Sequence, residues 1–498
     1  MTSPSTDQVL VSEREGLADQ AIRSVKWSVL ANIAPRFITP FTSVLLTIVL
    51  TPADFGIVAA SMMVISLGQI VLGLGLGSAV IHRRIKVQEA ATTAFWISIL
   101  FAGGLYAALW ALAPSISQVY RMPALAAVMR VSGLSLLLFA LSSVPSALLQ
   151  RKLDFQKLFW ANSIAPIVSG AVSVALAFAG AGLWALILGR LAGAAVSTIL
   201  AWYFSGWRPA LTIDRQVARS LIEFGSWVVL AGLVTWFFGQ ADNALCGYYL
   251  GAAPLGVYAL GFNLSNLFPG LVVSPLAAVA YPAFCAVQSD KEEIGRILLS
   301  LQSLTAAVVF PIALGLCAVA VPGVGLVYGN TWPGLGLVIQ LLAIMPGMSH
   351  VWSLNPEAYR AVGRPDIWPK LGGLTLLVLM PLLVFAAPYG LLPFSVARLV
   401  GASVLPLSII LVTPRVLDTS VKQQLEAVAV PFACALGMYG VAQLLIGMLK
   451  PFAGLAGWLN LVVIILVCAV LYLFLLRLAS RQLWDSLLLA ARRMLFGT

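Results

Sequence analysis

The chain has 498 residues, 61% of them hydrophobic and only 9% charged, with a formal net charge of +11; soluble domains carry about 25% charged residues. Apolar runs of about 20 residues, enough to cross a hydrocarbon slab roughly 30 Å thick, follow one another with scarcely a break. That composition leaves no room for a soluble catalytic domain or a nucleic-acid-binding module, and it predicts an all-α membrane protein.

Residues 1–22 are polar, contain Glu13, Arg14, Glu15 and Asp19, and lack the apolar core of a signal peptide; they are expected to form a cytoplasmic tail. About fourteen transmembrane helices follow, near 24–50, 54–80, 92–113, 126–149, 158–179, 182–204, 225–250, 255–281, 299–320, 334–354, 368–387, 391–413, 426–447 and 457–476. Pro35 and Pro40 interrupt the first span, and Gly73, Gly75 and Gly77 in the second allow close helix approach. The turns alternate in character. Gly180–Gly182, Gly251–Pro254 and Pro388–Gly390 are tight and uncharged, whereas Arg83, Arg84 and Lys86, then Arg151, Lys152 and Lys157, then Arg208, Arg215 and Arg219 fill the intervening ones. The series continues with Lys291 and Arg296, with Arg360, Arg364 and Lys370, and with Arg415 and Lys422. Of the 29 Lys and Arg, 23 fall on one side, two (Arg121 and Lys450) on the other and four inside spans. Basic loops stay in the cytoplasm, which orients both termini inward. The longest outward segments, such as Pro114–Leu125, have about 12 residues.

Two echoes divide the chain. Trp27 to Ala60 laid over Trp227 to Leu260 matches at ten of 34 positions, including Trp27 on Trp227 and Gly56 on Gly256. Gly182 and Arg190-Leu-Ala-Gly-Ala-Ala-Val196 return at an offset of 208 as Gly390 and Arg398-Leu-Val-Gly-Ala-Ser-Val404. Repeats this long mean two homologous lobes, and an even number of spans in each puts their relating axis along the membrane normal. The expected organisation is a tail at 1–22, an N-lobe of six spans at 23–204, a cytoplasmic linker at 205–224, a C-lobe of six spans at 225–413, two further spans within 414–476 and a cytoplasmic amphipathic tail at 477–498. That tail mixes Leu and Trp484 with Arg481, Arg492 and Arg493, as a helix on an anionic inner leaflet would.

Chemistry-bearing residues are few. His82 and His350 are isolated, and Cys246, Cys285, Cys317, Cys434 and Cys468 show no metal-ligand spacing and read as core or lipid-facing fillers. The glycines at 73–77 precede no basic phosphate-loop residue. Neither a catalytic constellation nor a cofactor or metal site is expected, and the chain is not read as an enzyme. Charges inside spans are the exceptions, since each costs several kcal/mol in lipid unless paired or hydrated. Arg130, near a span end, is expected to snorkel. Arg36 lies too deep for that, and Arg190 and Arg398 lie about 10–12 Å in from the outward ends of their spans, at matching repeat positions. Asp242 is the one clear intramembrane acid, and it cannot neutralise three arginines. The surplus predicts a cavity that receives an anion, with Asp242 available for charge balance or ion coupling and a local hydrogen bond to Asn243 or backbone as the plainer alternative.

Pro52-Ala-Asp-Phe-Gly56, Gly75-Leu-Gly77, Thr93-Ala-Phe-Trp96, Gly182-Leu-Trp-Ala-Leu186, Trp207-Arg-Pro209, Asp242-Asn243, Leu255-Gly-Val-Tyr258 and Tyr281-Pro-Ala283 resemble, in order, the segments of bacterial polysaccharide flippases of the Wzx type. The likeness is to their colanic-acid-exporter branch, within the superfamily of multidrug, oligosaccharidyl-lipid and polysaccharide exporters, and it weakens after the eighth span. It implies a protein of the bacterial inner membrane that moves undecaprenyl-diphosphate-linked oligosaccharide between leaflets as two lobes rock about a central cavity. The product would feed exopolysaccharide, capsule or lipopolysaccharide biosynthesis. Membrane lipids and the polysaccharide polymerase and export machinery are the implied partners. Arg36, Arg190 and Arg398 supply fixed charge and planar donors suited to a diphosphate. A drug or small-solute antiporter would share the fold but should carry more intramembrane acids. A membrane polymerase or ligase would need larger outward loops.

Overall fold

The computed structural model describes residues 38, 41–73, 87–152, 154–212, 214–449 and 454–496, and among these the regular structure is helical. Seventeen helices are assigned in full: α1 (Pro52–Gly73), α2 (Val87–Val119), α3 (Leu125–Ser132), α4 (Leu134–Arg151), α5 (Phe155–Phe178), α6 (Leu183–Ser205), α7 (Arg215–Leu250), α8 (Ala252–Ala286), α9 (Lys291–Tyr328), α10 (Leu335–Leu342), α11 (Ile344–Val351), α12 (Asn355–Ala361), α13 (Ile367–Ala386), α14 (Leu391–Val416), α15 (Val421–Met448), α16 (Gly454–Ala479) and α17 (Arg481–Phe496). Among the described residues, eleven helical stretches are long and apolar enough to cross a membrane. They fall on predicted spans two to six and nine to fourteen. The 36-residue α7 and the 35-residue α8 cover the seventh and eighth. The predicted tail at 1–22, most of the first span and Gly75 and Gly77 lie outside the described residues.

Helix starts follow the two kinds of turn seen in the sequence. Beside the basic loops, side chains cap: Asp154 accepts from the Lys157 amide, Asp290 from that of Glu293, and Ser420 with Gln423 forms a reciprocal capping box. At the tight uncharged turns, glycine takes over. Gly182, Gly251 and Gly390 precede α6, α8 and α14 at φ 55°, 87° and 104°, a region where a side chain would be strained.

Two predicted spans are interrupted, and at equivalent places. Met122-Pro123-Ala124-Leu125 leads into α3, and Trp332-Pro333-Gly334-Leu335 leads into α10; one residue, Gly133 or Ala343, then separates α3 from α4 and α10 from α11. Both keep right-handed helical angles, so the breaks are pinches rather than bends. At Gly133 a Cβ would come within 2.7 Å of Leu109 Cδ2. The first half of the expected outward segment Pro114–Leu125 is helix, because α2 runs through Pro114 to Val119. Ser117 Oγ then donates to Met122 O at 2.7 Å and Arg121 turns at φ 54°, closing the chain in a few residues.

The chain folds as two compact units, one holding Ile57–Ala244 with the described residues before Thr51, the other Thr51–Gly56 and the chain from Leu245. In the first, Phe95 packs edge-on against Trp202 and Trp207, and three tryptophan indoles donate across the unit: Trp96 to Ala210 O, Trp202 to Leu141 O and Trp207 to Gln88 Oε1, at 2.8–2.9 Å. These bonds pin the segment after α6 to α2, and α6 itself to α4. In the second, Phe284, Leu298, Tyr359, Ile464 and Leu476 are buried in one core. Tyr472 of α16 donates to Ala307 O of α9 at 2.7 Å, so the last pair of spans is anchored on α9. A buried polar chain joins three helices, α9, α12 and α14: Gln302 Nε2 donates to Asn355 Oδ1 (2.8 Å), Asn355 Nδ2 to Thr413 Oγ1 (3.0 Å), and Thr413 meets the Tyr359 hydroxyl at 2.7 Å. Helix α17 packs Leu483 and Leu487 against this core and leaves Leu488 and Leu489 exposed.

Candidate functional site

The second echo survives into three dimensions residue by residue. Arg190 and Arg398 are each the eighth residue of a helix that starts after a positive-φ glycine. Along α6 the exposed apolar residues are Trp184, Leu188, Ile199 and Tyr203; along α14 they include Leu392, Val396, Leu407 and Leu411, the same positions 208 residues later. At about 100° per residue these rows lie roughly opposite Arg190 and Arg398. An exposed apolar row on a membrane helix is its lipid face, so both arginines are carried on the side turned away from lipid. Gly193 and Gly401, three residues on, serve packing within each lobe. A Cβ at 193 would meet Ala165 O and Ser169 Cβ of α5 at 2.8 Å, and one at 401 would meet Leu379 Cδ1 of α13 at 2.5 Å.

Their surroundings differ. Arg190 is exposed. Arg398 is only 8% exposed, with its guanidinium 5.9 Å from the centre of the Phe262 ring of α8, beside the edge-to-face pair Tyr258 and Phe394. Cation–π contact compensates part of the cost of burying that charge. Arg36 lies outside the described residues. Asp242 is 2% exposed, and its Oδ1 accepts from the Asn243 amide at 2.9 Å, while Asn243 Nδ2 donates to Gln240 Oε1 at 3.1 Å. The plainer local hydrogen bond expected for Asp242 is therefore present. Arg130 stacks on Trp110, 4.1 Å from the ring centre, with Nε 3.4 Å from Trp110 O.

Polar residues without charge escaped the reading of the sequence. Asn263 and Asn266 lie mid-way along α8; Asn263 is exposed, and Asn266 Nδ2 donates to Phe262 O at 2.9 Å. An asparagine eleven residues into an apolar span was itself a signal. Near the far end of α8 the exposed ring of Tyr281 carries the guanidinium of Arg360 at 4.8 Å. Among the described residues no group of three or more His, Cys, Asp or Glu could hold a metal ion.

The profile of the family described as polysaccharide biosynthesis protein matches residues 45–335, more than half of the chain. Over 431 residues the chain is 25% identical to the lipopolysaccharide biosynthesis protein WzxC of Escherichia coli (strain K12), covering 84% of this chain and 86% of that protein. It is 24% identical over 347 residues to the succinoglycan biosynthesis transport protein ExoT of Rhizobium meliloti (strain 1021), covering 70% of each. Among solved structures, the lipid II flippase MurJ in an inward closed conformation superposes with a TM-score of 0.75 over 92% of this chain and 99% of that one, at 14% identity. An inward-facing multidrug resistance transporter of the MATE family and MOP superfamily gives 0.60 over 78% and 94%, also at 14% identity. At such identities the superpositions establish the fold, a multi-pass helical membrane protein of two pseudo-symmetric lobes. With the profile matched over more than half its length, the chain belongs to the polysaccharide biosynthesis protein family.

Proposed function

We propose that this protein is a flippase that moves undecaprenyl-diphosphate-linked oligosaccharide from the inner to the outer leaflet of the bacterial cytoplasmic membrane. The observation that carries the reading is the pair of arginines at matched positions of α6 and α14, each on the side of its helix opposite the lipid face. Relatives named for lipopolysaccharide biosynthesis and succinoglycan transport support it. Arg190 and Arg398, with Arg36, hold the diphosphate, and a guanidinium suits this task because its planar fork meets phosphate oxygens in pairs. Asp242 balances charge. Only the head group crosses; the isoprenoid tail stays in lipid.

Both termini lie in the cytoplasm, and the lobes rock to expose the head group first inside, then outside. Each negative charge carried outward gains about 2.3 kcal/mol per 100 mV of inside-negative potential, so a diphosphate is driven outward without a tightly coupled ion. Membrane lipids surround the protein, and polymerase and export machinery take over the product. The test is deletion of the gene followed by recovery of lipid-linked intermediates. Completed repeat units on the lipid, with their sugars facing the cytoplasm, are expected; truncated glycans would assign the protein to a synthetic step instead.

A further inference from the structure

The long helix α8 changes character along one face. At Gly256 it meets the first turn of α1 backbone to backbone: an added Cβ would lie 1.9 Å from Pro52 O and 2.9 Å from the Gly56 amide nitrogen. Seven residues on, two turns and about 10 Å deeper, Asn263 points within roughly 20° of the same direction. There Asn263 is exposed rather than packed. The exposed apolar residue of this stretch, Phe268, is turned about 140° away. Asn263 therefore does not share the side of α8 that carries Phe268.

An unpaired primary amide costs roughly 2 kcal/mol or more in hydrocarbon, so an exposed one lying about 16 Å from the helix start belongs to a hydrated surface. Its neighbours extend that surface. Asn266, three residues on and about 60° around, is partly buried and tied to Phe262 O. Phe262 in turn lies under the Arg398 guanidinium. One turn of α8 thus sets a neutral amide beside an aromatic ring and a cation.

We propose that Asn263 contacts the glycan and helps select which head group is carried; this rests on the flippase reading above. A carboxamide offers one acceptor and two donors at fixed spacing, which matches adjacent sugar hydroxyls, each both donor and acceptor. It carries no charge to hold a diphosphate. Arg398 reads the feature common to all such lipids, and Asn263 reads the part that differs among them.

The test measures binding to the full-length protein in lipid nanodiscs with two probes: undecaprenyl diphosphate, and the lipid-linked oligosaccharide extracted from cells lacking this gene. For Asn263→Leu, which keeps the branched shape and removes the polar atoms, Kd for the oligosaccharide lipid should rise about 3- to 10-fold per hydrogen bond lost, with undecaprenyl diphosphate bound as before. Asn263→Gln should recover part of the loss. Arg398→Lys should weaken both probes. An Asn263→Leu protein that binds both probes normally, or both equally weakly, overturns the proposal while leaving the flippase reading standing. If the wild-type protein binds neither probe, the flippase reading falls and this assignment with it.

Discussion

Gly56 and Gly256 sit where the first turns of α1 and α8 touch, and alanine at either position should force those turns apart. A Cβ on Gly56 would stand 1.8 Å from Ala252 O, and one on Gly256 would stand 1.9 Å from Pro52 O. The obstructing atoms are main-chain carbonyls, which have no alternative rotamer. Reaching an ordinary contact of about 3.5 Å means a displacement of roughly 1.5 Å. Overpacking of that kind costs about 1–3 kcal/mol. Alanine's better helix propensity, about 1 kcal/mol over glycine, is gained whether or not the turns touch, so it cancels between states. The clash exists only while the two turns touch, as they do in this structure. Populations should therefore shift toward the parted state by about 5- to 150-fold. A single cysteine at Val257, which is 3% exposed beside the crossing, reports the shift in a background with Cys246, Cys285, Cys317, Cys434 and Cys468 replaced. Impermeant maleimide should label it faster in intact cells when Gly56→Ala or Gly256→Ala is added, and export should slow. Unchanged labelling and unchanged Tm in both variants would refute the reasoning.

The two arginines should respond differently to alanine. Arg190→Ala, at an exposed position, should change stability by no more than ordinary surface changes do, about 0.5 kcal/mol, with Tm nearly unmoved, and slow export through loss of a contact of about 1.5–3 kcal/mol. Arg398→Ala also empties the space beside Phe262 and should lower Tm as well, with Arg398→Lys restoring part of the activity; normal export by either stable alanine variant would remove that residue from substrate binding. Asn355→Leu breaks both bonds of a fully buried amide and strands Gln302 Nε2. It should destabilise by about 1–3 kcal/mol, the cost of one buried group left unpaired, read as a lowered Tm in detergent. For orientation, impermeant reagent should label a cysteine placed at Ala252 in intact cells and not one placed at Lys291, and the reverse pattern would invert the topology.

What the sequence made legible is what local chemistry encodes. Gly182 and Gly390 had to be glycine because the chain turns at positive φ there, and their shared spacing to Arg190 and Arg398 carried the repeat into the structure intact. The lipid-facing rows at 184, 188, 199 and 203 and at 392, 396, 407 and 411 were present in the pattern but invisible, since in an apolar helix the buried and lipid-facing sides have the same composition. The different burial of the two arginines was also out of reach, because it depends on Phe262 in another helix, and no pattern within α14 encodes that neighbour. Gly133 and Ala343 interrupt helices while keeping helical angles, so neither left a breaker signal. Asn263 carries no charge, so it stands out less than an arginine in an apolar run, although lipid disfavours its amide too.

Reconstituted flipping tests the central claim most directly. Proteoliposomes holding the purified protein and the lipid-linked oligosaccharide isolated from deletion cells would be probed with an impermeant glycosidase or lectin for glycan on the outer surface. Accessibility should rise from about half of the lipid, the share set by random insertion, toward complete as protected molecules exchange outward, and both Arg190→Ala and Arg398→Ala should slow the rise. Accessibility that stays at its starting value with folded wild-type protein, under an imposed potential of either sign, would contradict the assignment.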